Sequence, residues 1–246
     1  MESLPIYVWL IVLIGVIGIP AATVAGLYRG LRANLDRRGA VAIASAVAVV
    51  WAAWIVLSAV LADDGAYRQS TTTSRPWIGL AAGGALLVAL LGSRIPSVRS
   101  ALNAPGMLAR LTWPHTFRIL GIVFVIAMAL GKLPALFALL AGLGDIAIGI
   151  AAPVVARRLA AGNRRGAVWF NVMGLLDLVV AVSIGFLAGL GPSRVFEVSP
   201  STAAVALLPL ALIPTTAVPM AVCLHIVSLI RLRATRRVSV PIAVTA

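Results

Sequence analysis

Two aspartates lie within apolar stretches of the chain, where ionisable side chains are costly, and their spacing makes them a pair. Asp145 and Asp177 are each sixteen residues from residue 161, inside the Arg-rich segment 157–165. If the flanking stretches form a helical hairpin, both carboxyl groups lie at the same depth. Two carboxylates in a low dielectric repel each other, so at least one is expected to carry a proton or to pair with Arg118 or a bound cation.

Small residues accompany both aspartates at helical spacing, which lets helix backbones approach closely. The two sets are Ala138, Gly142, Gly149 and Ala152 around Asp145, and Gly174, Ala181 and Gly185 around Asp177. Both acids are therefore predicted on packed faces. The functional interpretation is a protonatable site for transport or acid catalysis. The structural interpretation is a pair of protonated acids that hydrogen-bond neighbouring helices.

A second polar group is predicted near one end of the bundle. His115 and Arg118 begin the fourth apolar stretch, Asn171 lies one turn into the sixth, and His225 lies near the end of the seventh. One hypothesis is a bis-histidine haem held by the two histidines. The alternative is histidines at the membrane interface, beside Arg and Trp. No cofactor is strongly implied, and the ligand set for a small molecule would include Asn171, Arg118 and His225.

The seventh apolar stretch contains three prolines at five-residue spacing, Pro209, Pro214 and Pro219. Each removes a backbone donor, so this helix is predicted to be kinked or partly unwound. Thr215 and Thr216 can satisfy some of the freed carbonyls. Irregular backbone within a membrane lies against protein or a cavity, so both threonines are candidate ligand-binding residues.

Composition predicts an integral membrane protein with a single domain, residues 1–246. The chain is 61% apolar and 11% charged, with a mean hydropathy of +1.07, and a soluble fold needs far more polar surface. A span needs about 20 apolar residues. Seven stretches predict an all-α bundle of seven helices, at approximately 4–28, 40–62, 77–92, 113–130, 133–156, 167–189 and 203–230.

The basic residues predict the orientation of these helices. Fifteen of them fall in four alternate segments, 29–39, 93–112, 157–165 and 231–237, and only Arg68, Arg75, Lys132 and Arg194 fall in the opposite loops. The positive-inside rule places the N-terminus outside and the C-terminus in the cytoplasm. The net charge of +13 therefore indicates the lipid bilayer as partner and no nucleic acid. Arg, Ala, Gly and Val usage is typical of a bacterial gene, and hence of an inner-membrane protein.

The C-terminal half contains several short segments that together form a pattern. They are Phe117 to Gly121, Gly131 to Ala138, Gly142 to Asp145, Ala152-Pro153, Asn171, Asp177 and Leu212 through Pro219 to His225. This pattern resembles a broad family of uncharacterised bacterial multi-pass membrane proteins. The resemblance implies a bacterial membrane protein and brings no activity, substrate or cofactor with it.

Three function classes remain open from the sequence. The first is a carrier or sensor that binds a small lipophilic or cationic ligand between the fifth, sixth and seventh helices. The second is an intramembrane enzyme of cyclase or isomerase type, with Asp145 or Asp177 as catalytic acid on a prenyl or terpenoid substrate. The third is a haem or quinone redox protein that uses His115 and His225.

Overall fold

The computed structural model of the protein describes residues 4–72, 76–192 and 194–238. Within these residues the regular secondary structure is all helical and includes no β-strand. Its α-helices are α1 (Ile6–Leu31), α2 (Arg37–Asp63), α3 (Trp77–Gly92), α4 (Pro96–Leu102), α5 (Met107–Thr112), α6 (Ile122–Ala129), α7 (Ala135–Ala160), α8 (Ala167–Leu187) and α9 (Val218–Val238). A 3-10 segment (Trp113–Gly121) joins α5 to α6, a short 3-10 turn covers Thr202–Ala206, and a π turn (Ile213–Ala217) leads into α9.

Six helical stretches of the described chain are long and apolar enough to cross a bilayer. They are α1, α2, the stretch Met107–Ala129, α7, α8 and the stretch Ile213–Ala234. α3 has 16 residues and meets α4 at a bend of 83°, and the pair counted together makes a seventh candidate. The predicted all-helical apolar bundle is therefore confirmed. Of the basic residues used for orientation, Arg75 lies outside the described residues.

The fourth predicted helix, 113–130, differs from the prediction in where it begins and in how it winds. Its helical stretch already begins at Met107, and nine residues in its middle adopt 3-10 geometry. Pro114 contributes to this geometry because it has no N–H to donate. A 3-10 run of this length is unusual and often marks a functional region.

The 3-10 winding decides which side chains face the interior. Three residues per turn bring residues at positions i, i+3 and i+6 onto one face. His115, Arg118 and Gly121 have this spacing, and all three are buried. In an α-helix the same residues would spread around the axis, because each turn takes 3.6 residues.

α7 lies at the centre of the bundle and packs along the 3-10 segment and against α8. The small residues predicted around Asp145 provide this close contact, since Ala138, Gly142, Gly149 and Ala152 are all buried. At Gly149 an added Cβ would overlap the backbone of Ile119. The predicted packed face of this helix is therefore confirmed.

The seventh predicted helix, 203–230, is not continuous. Residues 207–211 form a bend and turns, the π turn follows closely, and the long α-helix begins only at Val218. The interruption expected from the prolines is therefore confirmed, whereas a helix starting at residue 203 is wrong. Pro209 lies in the turns and Pro214 in the π turn.

Candidate functional site

Arg118 is a buried arginine whose three guanidinium nitrogens all have partners. Its exposed fraction is only 4%. Its Nε donates to Asp145 Oδ1 at 2.6 Å, its Nη2 donates to Asp177 Oδ2, and its Nη1 lies 3.1 Å from His225 Nε2. The planar guanidinium presents its donors in a fixed fork, which suits it to bridging two carboxylates. Arg118 is therefore paired with both carboxylates.

The network continues from the guanidinium through His225 to α8. Arg118 can only donate, so His225 Nε2 accepts and the ring proton resides on Nδ1. Nδ1 lies 2.9 Å from Asn171 Oδ1, and Asn171 Nδ2 donates to the carbonyl oxygen of Ala167 at 2.8 Å. This order of bonds makes His225 a neutral imidazole with its proton on Nδ1. We call Arg118, Asp145, Asp177, Asn171 and His225 the Arg118 cluster.

Glycines provide the space that the Arg118 cluster occupies. An added Cβ on Gly144 of α7 would overlap the carboxylate of Asp177. One on Gly121 would overlap the side chain of Asp145, and one on Gly174 would overlap the imidazole of His225. The helices therefore meet closely because these positions lack side chains, and the charged groups fill the space between them.

The imidazole ring of His115 stacks on the imidazole ring of His225. The two ring centroids are 3.9 Å apart with planes at 19°, and Phe170 contacts His115 edge-on at 5.7 Å. Neither ring nitrogen of His115 has a hydrogen-bond partner among the described residues. His115 and His225 are 1% and 0% exposed, so both rings are enclosed by protein.

The stacked histidines do not fit the haem hypothesis. A bis-histidine haem needs its iron between the two rings, each aiming one nitrogen at the metal. Rings stacked face to face at 3.9 Å leave no room for an iron between them. Nε2 of His225 also already accepts from Arg118. His115 and His225 therefore form a stacked pair that does not fit a bis-histidine haem.

The Arg118 cluster has more negative than positive charge. When both carboxylates are ionised they outnumber the one guanidinium, because His225 is neutral. Each aspartate side chain is 15% exposed, compared with 3% for the arginine side chain. A buried excess charge is costly unless a proton or a second cation balances it. The site is therefore one cation short when fully ionised.

A cavity of about 200 Å³ reaches the Arg118 cluster at Asp145. It lies between α3, α7, α8 and the segment before α9. It extends toward the end of the bundle where Gln69 and Leu190 lie. Its walls are mostly apolar, with Phe137, Ala181 and Gly185 among the lining residues. We call this the large cavity. Residues of α3, which the sequence did not place near a cavity, also line it.

Thr215 and Thr216 both bond backbone carbonyls of their own segment. Thr215 Oγ1 donates to the carbonyl of Ala211 at 2.7 Å, and Thr216 Oγ1 donates to that of Leu212. Both therefore satisfy carbonyls beside the prolines, as their sequence position suggested. None of their hydrogen bonds reaches the Arg118 cluster.

Thr215 also belongs to a polar contact with α2 that the sequence did not reveal. Trp54 Nε1 donates to the Thr215 carbonyl at 2.8 Å, and Ser58 Oγ lies 2.6 Å from Thr215 Oγ1. Pro219 explains the first bond, because it has no N–H to offer the carbonyl four residues before it. Tyr67 OH completes the set, 3.3 Å from Ser58 Oγ.

Residues 75–233 match the sequence model of one protein family, described as a domain of unknown function (DUF8737). The chain belongs to this family. The matched region contains every residue of the Arg118 cluster and the large cavity's walls from Pro76 onward. The match includes α3, and α1 and α2 lie outside it. No curated protein and no solved structure matches the chain.

Proposed function

We propose that this member of the family is a multi-pass membrane protein that binds a small lipophilic cation in the large cavity, with Asp145 as the recognising group. The observation that carries the proposal is an apolar cavity that ends at a carboxylate of a cluster short of one cation. The apolar walls would contact the body of the ligand. The carboxylate would balance its charge at a depth where no water does so.

The charge of the Arg118 cluster favours a cation over a neutral ligand. Arg118 neutralises one carboxylate, and a ligand cation or a proton neutralises the other. The two therefore compete, so ligand binding releases a proton and weakens in acid. A ligand without charge would use only the apolar walls and would show neither effect.

The same geometry supports cation binding better than acid catalysis on a prenyl or terpenoid chain. A general acid must give up a proton readily and must hold one beforehand. The guanidinium of Arg118 bonds both Asp145 and Asp177, and it stabilises their ionised forms. A cation in the large cavity would balance the excess negative charge, whereas an acid that gave its proton to a substrate would restore that excess.

The proposal includes a bilayer arrangement for the whole chain as one domain. Seven spans would be α1, α2, α3, Met107–Ala129, α7, α8 and Ile213–Ala234. The N-terminus would lie outside and the C-terminus in the cytoplasm of a bacterial inner membrane, supported by the distribution of basic residues. The large cavity would then open toward the outer side, where Gln69 and Leu190 lie.

The test uses a ligand pair that differs in charge alone. Benzyltrimethylammonium is a small lipophilic cation, and neopentylbenzene has the same shape with carbon in place of nitrogen. The purified protein in detergent should bind the cation more tightly, and Asp145→Asn should weaken cation binding by about tenfold or more, or about 1.4 kcal/mol. Binding of neopentylbenzene should be unchanged in the same variant.

The matched control is Asp36→Asn, which alters a carboxylate that caps α2 far along the chain from the Arg118 cluster. It should bind both probes as the unaltered protein does. Equal affinity for the two probes in the unaltered protein would overturn the proposal. So would an Asp145→Asn variant that retains full cation binding while size-exclusion chromatography shows it folded.

A further inference from the structure

A second, smaller cavity reaches Asp145 from another side of the bundle. Its volume is about 50 Å³, and it lies between α1, the 3-10 segment and the π turn. Arg118 and Asp145 are its polar lining groups. Gly15 and Leu120, which are half-buried, bring it to the lateral surface between α1 and the 3-10 segment. We call this the small cavity.

A thin partition separates the two cavities. Besides Asp145, the residues common to both linings are Phe124, Leu178, Ile213 and Val218. All four are apolar, so only contact between apolar side chains closes the space between the cavities. Phe124 and Leu178 are each 4% exposed. The carboxylate of Asp145 is therefore accessible from either side of one apolar partition.

The partition includes both ends of the π turn. Ile213 begins the turn and Val218 follows it. π turns interrupt the regular hydrogen-bond ladder and occur often at functional sites. This turn is attached to α2 through the Trp54 and Ser58 bonds to Thr215. A shift of α2 would therefore move the partition residues relative to Phe124.

We propose that the two cavities are the two halves of one path for a lipophilic cation. The path runs between the bilayer beside α1 and the end of the bundle that contains Gln69, and Asp145 is the binding site at its midpoint. This makes the protein a carrier and not a sensor, and it rests on the proposed function. A lipophilic cation is the occupant because its apolar body contacts the apolar walls. Asp145, the carboxylate that lines both cavities, balances its charge.

Two glycines allow each half of the path to be filled separately. Gly15 lines only the small cavity, and Gly79 on α3 lines only the large one. A Cβ at Gly15 would lie 3.6 Å from Leu120 Cδ1, an ordinary contact, and one at Gly79 would meet nothing within 4 Å. Gly15→Ala and Gly79→Ala are therefore matched controls for the filling variants Gly15→Leu and Gly79→Leu.

The experiment compares equilibrium binding of benzyltrimethylammonium in detergent with its release from preloaded proteoliposomes. The unaltered protein should bind the cation and release it faster than protein-free vesicles do. Gly15→Leu should keep the binding affinity within about twofold but lower the release rate to that of protein-free vesicles. Gly79→Leu should lower both binding and release, because it fills the cavity that holds most of the ligand. Both Ala controls should behave as the unaltered protein.

The possible failures are distinguishable. Binding without faster release in the unaltered protein overturns the path and leaves the proposed binding function standing. Normal release from Gly15→Leu, with a normal circular-dichroism spectrum, overturns the part played by the small cavity. Failure of the unaltered protein to bind the cation overturns the proposed function, and the path with it.

Discussion

Gly144 of α7 lies against the carboxylate of Asp177 of α8. The two are so close that a Cβ added to the glycine would overlap a carboxylate oxygen. The ion pair between Asp177 and Arg118 therefore depends on a missing side chain on a third element. A glycine in the middle of a helix costs some stability in itself. Here the open position lets a charged group reach its partner.

Replacing Gly144 by Ala should displace Asp177 and weaken its ion pair. We expect a loss of about 1–3 kcal/mol in the free energy of unfolding, since overpacking at a buried contact costs this much. The control is Gly83→Ala in α3, where an added Cβ meets nothing within 4 Å. That variant should be neutral or slightly stabilising. Denaturation in mild detergent measures both, and equal stability of the two variants would contradict the tight contact.

The charge balance around Arg118 predicts that single and double aspartate variants differ in kind. Asp145→Asn or Asp177→Asn leaves the guanidinium one carboxylate, so each protein should fold with a stability change of about 1 kcal/mol or less. The double variant leaves a buried arginine with no counterion and should lose about 3–5 kcal/mol. Unfolding of all three variants measures the coupling. A double variant whose loss equals the sum of the single losses would contradict shared pairing.

The hydrogen bonds of His225 predict its tautomer. Its proton should reside on Nδ1, because Nε2 accepts from Arg118 and Asn171 offers a carbonyl oxygen to Nδ1. The chain has only two histidines, so ¹⁵N-labelled imidazole spectra are simple to assign with a His115→Gln variant. Asn171→Leu should remove the acceptor and cost about 1–3 kcal/mol. An Nε2-protonated His225 in the unaltered protein would contradict the network.

The aspartate pair could be predicted from the sequence because a hairpin of two apolar helices has a simple symmetry. Equal spacing from residue 161 placed both carboxyls at one level, and the small residues beside Asp145 identified its packed face. The sequence named Arg118 as a candidate cation for these acids, but no local pattern showed that it pairs with both. An arginine at the start of an apolar stretch is typical of the membrane interface, and only the 3-10 winding turns it inward beside His115.

The remaining differences arise where tertiary contacts decide the local structure. The stacking of His115 on His225 joins segments 110 residues apart, and no local pattern encodes it. The roles of Gly121, Gly144 and Gly174 depend on which side chain lies opposite each one. The prolines did predict an irregular last helix, because the lack of an N–H acts locally. The prolines could not predict that the indole N–H of Trp54 in α2 donates to the carbonyl of Thr215.

The membrane orientation predicts opposite results for two reporter fusions. A reporter that is active only in the cytoplasm should be active when fused after Arg237. One that is active only outside should be active when inserted near Gly65, in the loop after α2. The excess of arginine at alternate loops is the physical reason. A C-terminal fusion active outside would contradict the proposed arrangement of seven spans.

The last prediction concerns the prolines of the π turn. Replacing Pro214 and Pro219 together by Ala restores two backbone donors, so the segment before α9 should become regular α-helix. Ile213 and Val218 would then move, and both belong to the partition between the two cavities. We expect the variant to fold and to bind benzyltrimethylammonium with an affinity changed by about tenfold, or about 1.4 kcal/mol.

A matched control separates this effect from a general effect of removing proline. Pro153 lies inside α7, where the helix runs unbroken through it, so Pro153→Ala should leave cation binding unchanged. The double variant should also lose the indole bond from Trp54, because the carbonyl of Thr215 regains a backbone donor at residue 219. A change in tryptophan fluorescence that is absent from a Trp54→Phe background would report this loss. Unchanged binding and fluorescence in the double variant would mean that the prolines only adjust packing, and that the π turn takes no part in the site.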